Sequence, residues 1–178
     1  MELAEKLESV FTAYLKQFVD GDISTIPPNT DIPASFYWPA SLQNADKTYR
    51  IYAGESDTTK DGQAILCISG DSHKEEPQYS GNYFIPFEIW LRTPVAKQTA
   101  KQISDLEAKA ITNHKAAATM LEHAIMQDPF VLALNVQTLA GDLTIYSILD
   151  RQPQRQQLPN YYASGWAFRV YCMSKSAP

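Results

Sequence analysis

Between Gly81 and Thr93 the chain reads GNYFIPFEIWLRT, with large apolar side chains at every odd position from Tyr83 through Ile85, Phe87 and Ile89 to Leu91. The even positions, Asn82, Phe84, Pro86, Glu88, Trp90 and Arg92, are mixed. A period of two predicts a strand with one face in a core. At roughly 3.4 Å per residue this stretch would span about 40 Å, long for a strand. Pro86 lacks the N–H that a ladder uses, so it fits only an edge or a bulge. The even face, with Phe84, Trp90 and Arg92, is the one expected to meet a neighbour.

Upstream, Leu3, Leu7, Val10, Phe11, Tyr14, Leu15 and Phe18 recur every three or four residues. This predicts an amphipathic helix over 2–19, with Gly21 placed to cap it. Residues 22–61 read as an arm or extended loop, because Pro27, Pro28, Pro33 and Pro39 oppose regular pairing. Within it, Phe36, Tyr37 and Trp38 dock either on their own domain or on a neighbouring subunit. Thr48–Ala53 alternates weakly, as a short strand would. Ala64–Ile68, AILCI, is a continuous apolar run between glycines, the pattern of a central buried strand.

After Pro94 the period becomes helical. Ile103, Leu106, Ala110, Ala117, Leu121, Ala124 and Ile125 line one side of a helix over 98–127, ended by Asp128-Pro129. A shorter helix over 130–139, stopped by Gly141, precedes a strand at 143–149. The Pro- and Gln-rich stretch DRQPQRQQLPNYYASG reads as a long loop, carrying Tyr161 and Tyr162 as candidate contacts. The closing strand, 166–173, places Trp166, Phe168, Val170 and Cys172 on one face, and 174–178 is expected to be a disordered tail. The order predicts a single α+β domain, 1–178. Its antiparallel or mixed sheet has about four to five strands, with helices packed mainly on one face.

Composition narrows the function classes. The 178 residues are 44% hydrophobic and 20% charged, as in ordinary globular chains. A net charge of −5 opposes a grip on nucleic acid, which needs surplus Lys and Arg. No apolar run approaches the roughly 20 residues of a membrane span. MELAEKLESV carries acids where a secretory signal carries bases, so the expected compartment is the cytoplasm. Cys67 and Cys172 lie in apolar runs and are expected to be buried thiols.

Candidate chemistry is sparse. Ser69-Gly70-Asp71-Ser72-His73 resembles the first block of GDSL esterases, yet no histidine follows His123 to act as the late base. Asp71 and Ser72 are better read as turn formers. His114 and His123 are too far apart in sequence for a helical metal pair, and His114 is expected to be hydrogen-bonded at the core edge. Arg151 and Arg155 are too few for a phosphate site. No Gly-rich phosphate loop or dinucleotide fingerprint occurs, so no catalytic residue, metal or cofactor is expected.

Taken in order, these elements resemble the tail terminator (minor tail, tail-completion) proteins of long-tailed phages. The matching parts are the helix LAEKLESVFTAYLKQF, the strand AILCISGDS with its acidic loop, and the strand GNYFIPFEIWLRTPV. The helix carrying His114, Met120 and Leu121, a short helix, then LTIYSILD and GWAFRVYCMS follow. The resemblance implies a ring, usually of six subunits, that caps the tail tube, ends its polymerisation and joins a head connector or neck protein. It implies a virion protein that is not an enzyme. Two other readings fit the same residues: a head–tail connector or neck protein, and a small α+β adaptor from another context.

Overall fold

The computed structural model describes residues 3–17, 51–53, 65–70, 76–77, 82–94, 112, 114–119, 121–158 and 161–174. Helix α1 (Leu3–Lys16) is followed by strands β1 (Ile51–Ala53), β2 (Ile65–Gly70), β3 (Glu76–Pro77) and β4 (Asn82–Pro94). Helix α2 comprises residues 112, 114–119 and 121–125 of the described chain. Helix α3 (Pro129–Gln137) and strands β5 (Leu143–Leu158) and β6 (Tyr161–Ser174) complete the order. The sheet runs β1-β2-β4-β6-β5, with the two-residue β3 also paired to β4. β1 and β2 are parallel and the other pairs antiparallel, so the expected mixed sheet of an α+β fold is present.

The alternation read from the sequence is the alternation of burial. Ile85, Phe87, Ile89, Leu91 and Thr93 of β4 are buried, while Phe84, Pro86, Trp90 and Arg92 are half-buried and Glu88 is exposed. β6 presents Trp166, Phe168, Val170 and Cys172 to the same side. α1 covers that side with Ala4, Leu7, Val10, Phe11, Tyr14 and Leu15. Phe11 sits against Phe87 with ring centroids 4.7 Å apart and against Phe168 at 5.4 Å. Such tilted contacts suit the ring quadrupoles. From α2, Ala117, Leu121, Ala124 and Ile125 enter the same cluster, as do Leu132 and Val136 of α3. The helices therefore form one layer on one face.

α1 approaches β2 closely at Gly70. A Cβ there would lie 3.1 Å from the Ala4 methyl carbon and from the Phe87 ring, and Glu8 Oε1 accepts the Gly70 N–H at 2.9 Å. Helix and strand are thus joined by fit and by a charge-assisted bond.

Pro86 stands inside the central strand, not at an edge or bulge. β2 pairs with Phe87 through Arg92 and β3 with Tyr83 and Phe84, leaving Ile85 and Pro86 between them. Among the described residues no strand pairs with that point on the β2–β3 side, although Arg169 of β6 stands opposite Pro86 on the other, and the proline is accommodated in the gap.

The expected loop at 150–165 is corrected. β5 continues to Leu158 and β6 begins at Tyr161, so this stretch is the far half of a hairpin. β5 is an edge strand, where Pro153 is tolerated. Ser174, expected to open the tail, closes β6 instead, and 175–178 lie outside the described residues. The expected arm at 22–61 contains β1; its remaining residues, with Phe36, Tyr37 and Trp38, lie outside the described residues.

The free edge of β5 is closed locally. The Gln137 side chain donates to Leu143 O at 2.9 Å and accepts from Ile145 N at 2.6 Å, occupying groups that a neighbouring strand would use. Further along, the register shifts between Leu149 and Gln152, with Asp150 at φ 54°. This bulge sends two charged neighbours to opposite sides. Asp150 Oδ2 accepts from Arg169 Nε at 2.8 Å on the outer face, while Arg151 donates to Ile125 O and Gln127 O at the end of α2.

Candidate interaction surfaces and a buried polar relay

The even face of β4 is the outer face of the sheet. Register places Phe84 beside Tyr171, Pro86 beside Arg169 and Trp90 beside Gly165. Phe84 and Tyr171 stack with centroids 4.7 Å apart, and Tyr146 packs on Tyr171 at 5.1 Å. The Arg169 guanidinium lies 5.1 Å from the Phe84 ring centre, a cation–π distance. Asn82 donates to the Tyr171 hydroxyl at 2.8 Å, and Trp90 Nε1 donates to Glu88 Oε2 at 2.7 Å. Trp90 lies flat over Gly165, where a Cβ would come within 2.6 Å of its ring. Tyr146 and Leu149 of β5 remain exposed on this face.

Of the candidate contact residues, Phe84, Trp90 and Arg92 share this outer face. Tyr161 and Tyr162 open β6 and pair with Pro94 and Thr93, but their side chains are outside the described part. The structure adds Tyr146, Leu149, Arg169 and Tyr171. Arg169 and Tyr171 follow from the period of β6, whereas the place of Tyr146 and Leu149 was hidden because two register shifts break the period of two in β5.

A second surface lies on α3. Asp128 caps this helix, its Oδ1 accepting from Phe130 N and Val131 N, and Pro129 opens it. Leu132, Ala133 and Val136 are buried, whereas Phe130 and Leu134 are 79% and 67% exposed on the opposite side. Nearby Met126 is also exposed. The sequence signal was present in PFVLALNV, which is apolar nearly all round. A surface helix of that kind leaves part of its apolar girth uncovered.

Among the described residues, one chemically suggestive constellation lies at the edge of the core. His114 Nδ1 lies 2.9 Å from Thr93 Oγ1, and Nε2 lies 2.8 Å from Ser164 Oγ. A serine, a histidine and an orienting hydroxyl have the outline of a nucleophile with its base. Three features weigh against that chemistry. The orienting group is a neutral hydroxyl, which cannot offset an imidazolium charge, and burial lowers the His114 pKa to about 4, leaving a weak base. Ser164 also lies within the ladder, between Leu91 and Arg155, where backbone N–H groups serve the sheet and not an oxyanion. The relay ties α2 to β4 and β6, as expected of a histidine at the core edge.

Of the esterase-like string, Ser69 and Gly70 end β2, while Asp71, Ser72 and His73 lie outside the described residues. Among the described residues no group of three His, Cys, Asp or Glu could hold a metal ion. Cys67 and Cys172 are buried thiols, and no described helix is long and apolar enough to cross a membrane. No protein-family model matches the chain, and no curated protein matches it.

Proposed function

We propose that this chain is a structural subunit of a phage tail. In this reading, copies assemble into a ring, usually of six, that caps the tail tube, ends its polymerisation and meets the head connector. The observation that supports it is the two-sided sheet. One face carries the helix layer and the core, while the other carries an ordered set of aromatic side chains with exposed members. A domain that orders aromatics on its outer face is suited to partners more than to turnover. The element order that resembles tail terminators supports the same reading. An acidic ring would repel DNA phosphates and let a genome pass without adhering.

Polymerising purified tube protein with and without this chain tests the reading. Electron micrographs should show rings at tube ends and shorter, more uniform tubes. Unchanged tube lengths with bare ends would overturn it. Rings that bind a connector but ignore tubes would favour a neck protein.

A further inference from the structure

We propose that the Gln137 side chain is a stand-in for a strand, a built-in contact that holds the start of β5 shut against the β5 of a second copy. The proposal concerns this edge alone and is independent of the tail reading.

Three observations carry it. First, the contact has the pattern of sheet pairing. Leu143 O and Ile145 N flank Thr144, and they are the groups that one residue of a parallel neighbour would bond. Gln137 takes both, its Nε2 donating to Leu143 O at 2.9 Å and its Oε1 accepting from Ile145 N at 2.6 Å. A side-chain amide holds a donor and an acceptor in one plane, as a peptide group does, and no charged side chain offers that pair. Leu143 N is occupied as well, donating to Ala140 O at 2.9 Å.

Second, the amide is set in place by the turn that carries it. Gln137 ends α3, and its own carbonyl accepts from Ala140 N at 3.1 Å. Gly141, with φ at 57°, leads into β5 through a backbone region that favours glycine. Lys6 pairs with Asp142 at 2.7 Å and ties the same turn to α1. Groups fixed beforehand lose little freedom when they bond.

Third, the amide sits where the edge is regular. From Leu143 to Ile145 the strand pairs with Ser174 to Cys172 without a shift, and the first irregularity comes only after Ile145. A regular, open edge is a template for another strand. A second copy is the neighbour to exclude, because its β5, turned about a two-fold axis, supplies a matching row of N–H and C=O groups.

The test uses the full-length chain and hydrogen exchange at the Ile145 amide, which reports the bond itself. Gln137→Leu keeps the stem and removes both donor and acceptor, and circular dichroism checks that it folds. In dilute solution Ile145 should exchange at least about ten-fold faster, the scale of one lost hydrogen bond. As concentration rises, the variant should sediment as a larger species and Ile145 should regain protection, because a second copy now covers it. The wild type should keep the same Ile145 protection at every concentration, whatever its state of association.

Gln137→Glu separates the bonding pattern from packing. Its carboxylate accepts from Ile145 N but has no proton for Leu143 O, so at about pH 7.5 the edge should open. Near pH 4 and below, the neutral acid both donates and accepts, and protection should return relative to the wild type at the same pH. That reference also absorbs any titration of the Lys6–Asp142 pair beside the turn. Unchanged Ile145 protection in folded Gln137→Leu overturns the proposal, as does an unprotected Ile145 with no association at any concentration. A Gln137→Glu chain whose protection ignores pH assigns the residue to packing alone and overturns it too. If Gln137→Leu does not fold, Gln137→Glu decides.

Discussion

Arg151 reaches out of a strand to finish a helix: its Nη1 donates to Ile125 O at 2.8 Å, where α2 runs out of intrahelical partners. It reaches Gln127 O as well. The bulge that contains Asp150 allows this, since it breaks the regular alternation of β5 just before Arg151. Replacing Arg151 by Met keeps much of the stem and removes both bonds. We expect a loss of roughly 2–3 kcal/mol, the scale for bonds from a charged donor to groups left without a partner. Urea unfolding should show a lower midpoint with an unchanged slope.

His114 makes folding stability depend on pH. Its pKa is lowered to about 4 by burial, against about 6.5 in an unfolded chain. Between these values the unfolded state takes up a proton that the folded state refuses. Stability is therefore complete above about pH 6.5, falls as pH drops, and stops changing on this account near pH 4. The loss should reach about 2–3 kcal/mol at the acid end. In His114→Leu the slope between pH 6.5 and 5, above the carboxylate range, should flatten. That variant should also be less stable at pH 7, since Thr93 and Ser164 lose their partner.

Gly165 is required by Trp90. A methyl group there would lie 2.6 Å from the indole, so Gly165→Ala should cost about 1–3 kcal/mol through a displaced ring. With Trp90→Leu the same change should cost much less. A double-mutant cycle by thermal unfolding reads the coupling directly.

Ile89 is wholly buried on the core face of β4, between Ile68 and Trp166 in the register. Ile89→Asp places a carboxylate among apolar side chains and should cost several kcal/mol, enough to prevent folding. The expected readout is insoluble expression, or a circular dichroism spectrum without the sheet signal.

Where burial is one-sided, the sequence announces it. β4, β6 and α1 could be read because each has one face in the core and one outside, and apolar residues track that division. The far half of β5 could not: Gln152, Pro153 and Gln154 are all exposed, so no alternation is imposed and the strand resembles a loop. The outer-face group was partly legible, since Phe84, Trp90 and Arg92 follow from the period of β4. Tyr146 and Leu149 did not follow, because bulges shift their phase. α3 was legible as a helix, but its exposed side was not, because an apolar girth gives no hint of which part is covered. The His114 relay needed coordinates, since its three residues come from α2, β4 and β6.

The Gln137 amide, occupying Leu143 O and Ile145 N, has a consequence for crowding. A subunit whose neighbours are held close by is exposed to runaway strand-to-strand zippering, the route to amyloid. With one stretch of β5 sealed by this amide, the next kinked by a bulge and the third interrupted by Pro153, copies cannot easily lengthen one another's sheet. In the assembly proposed above, the β5 edge is therefore disfavoured as a contact, and the faces of the sheet are left to carry it.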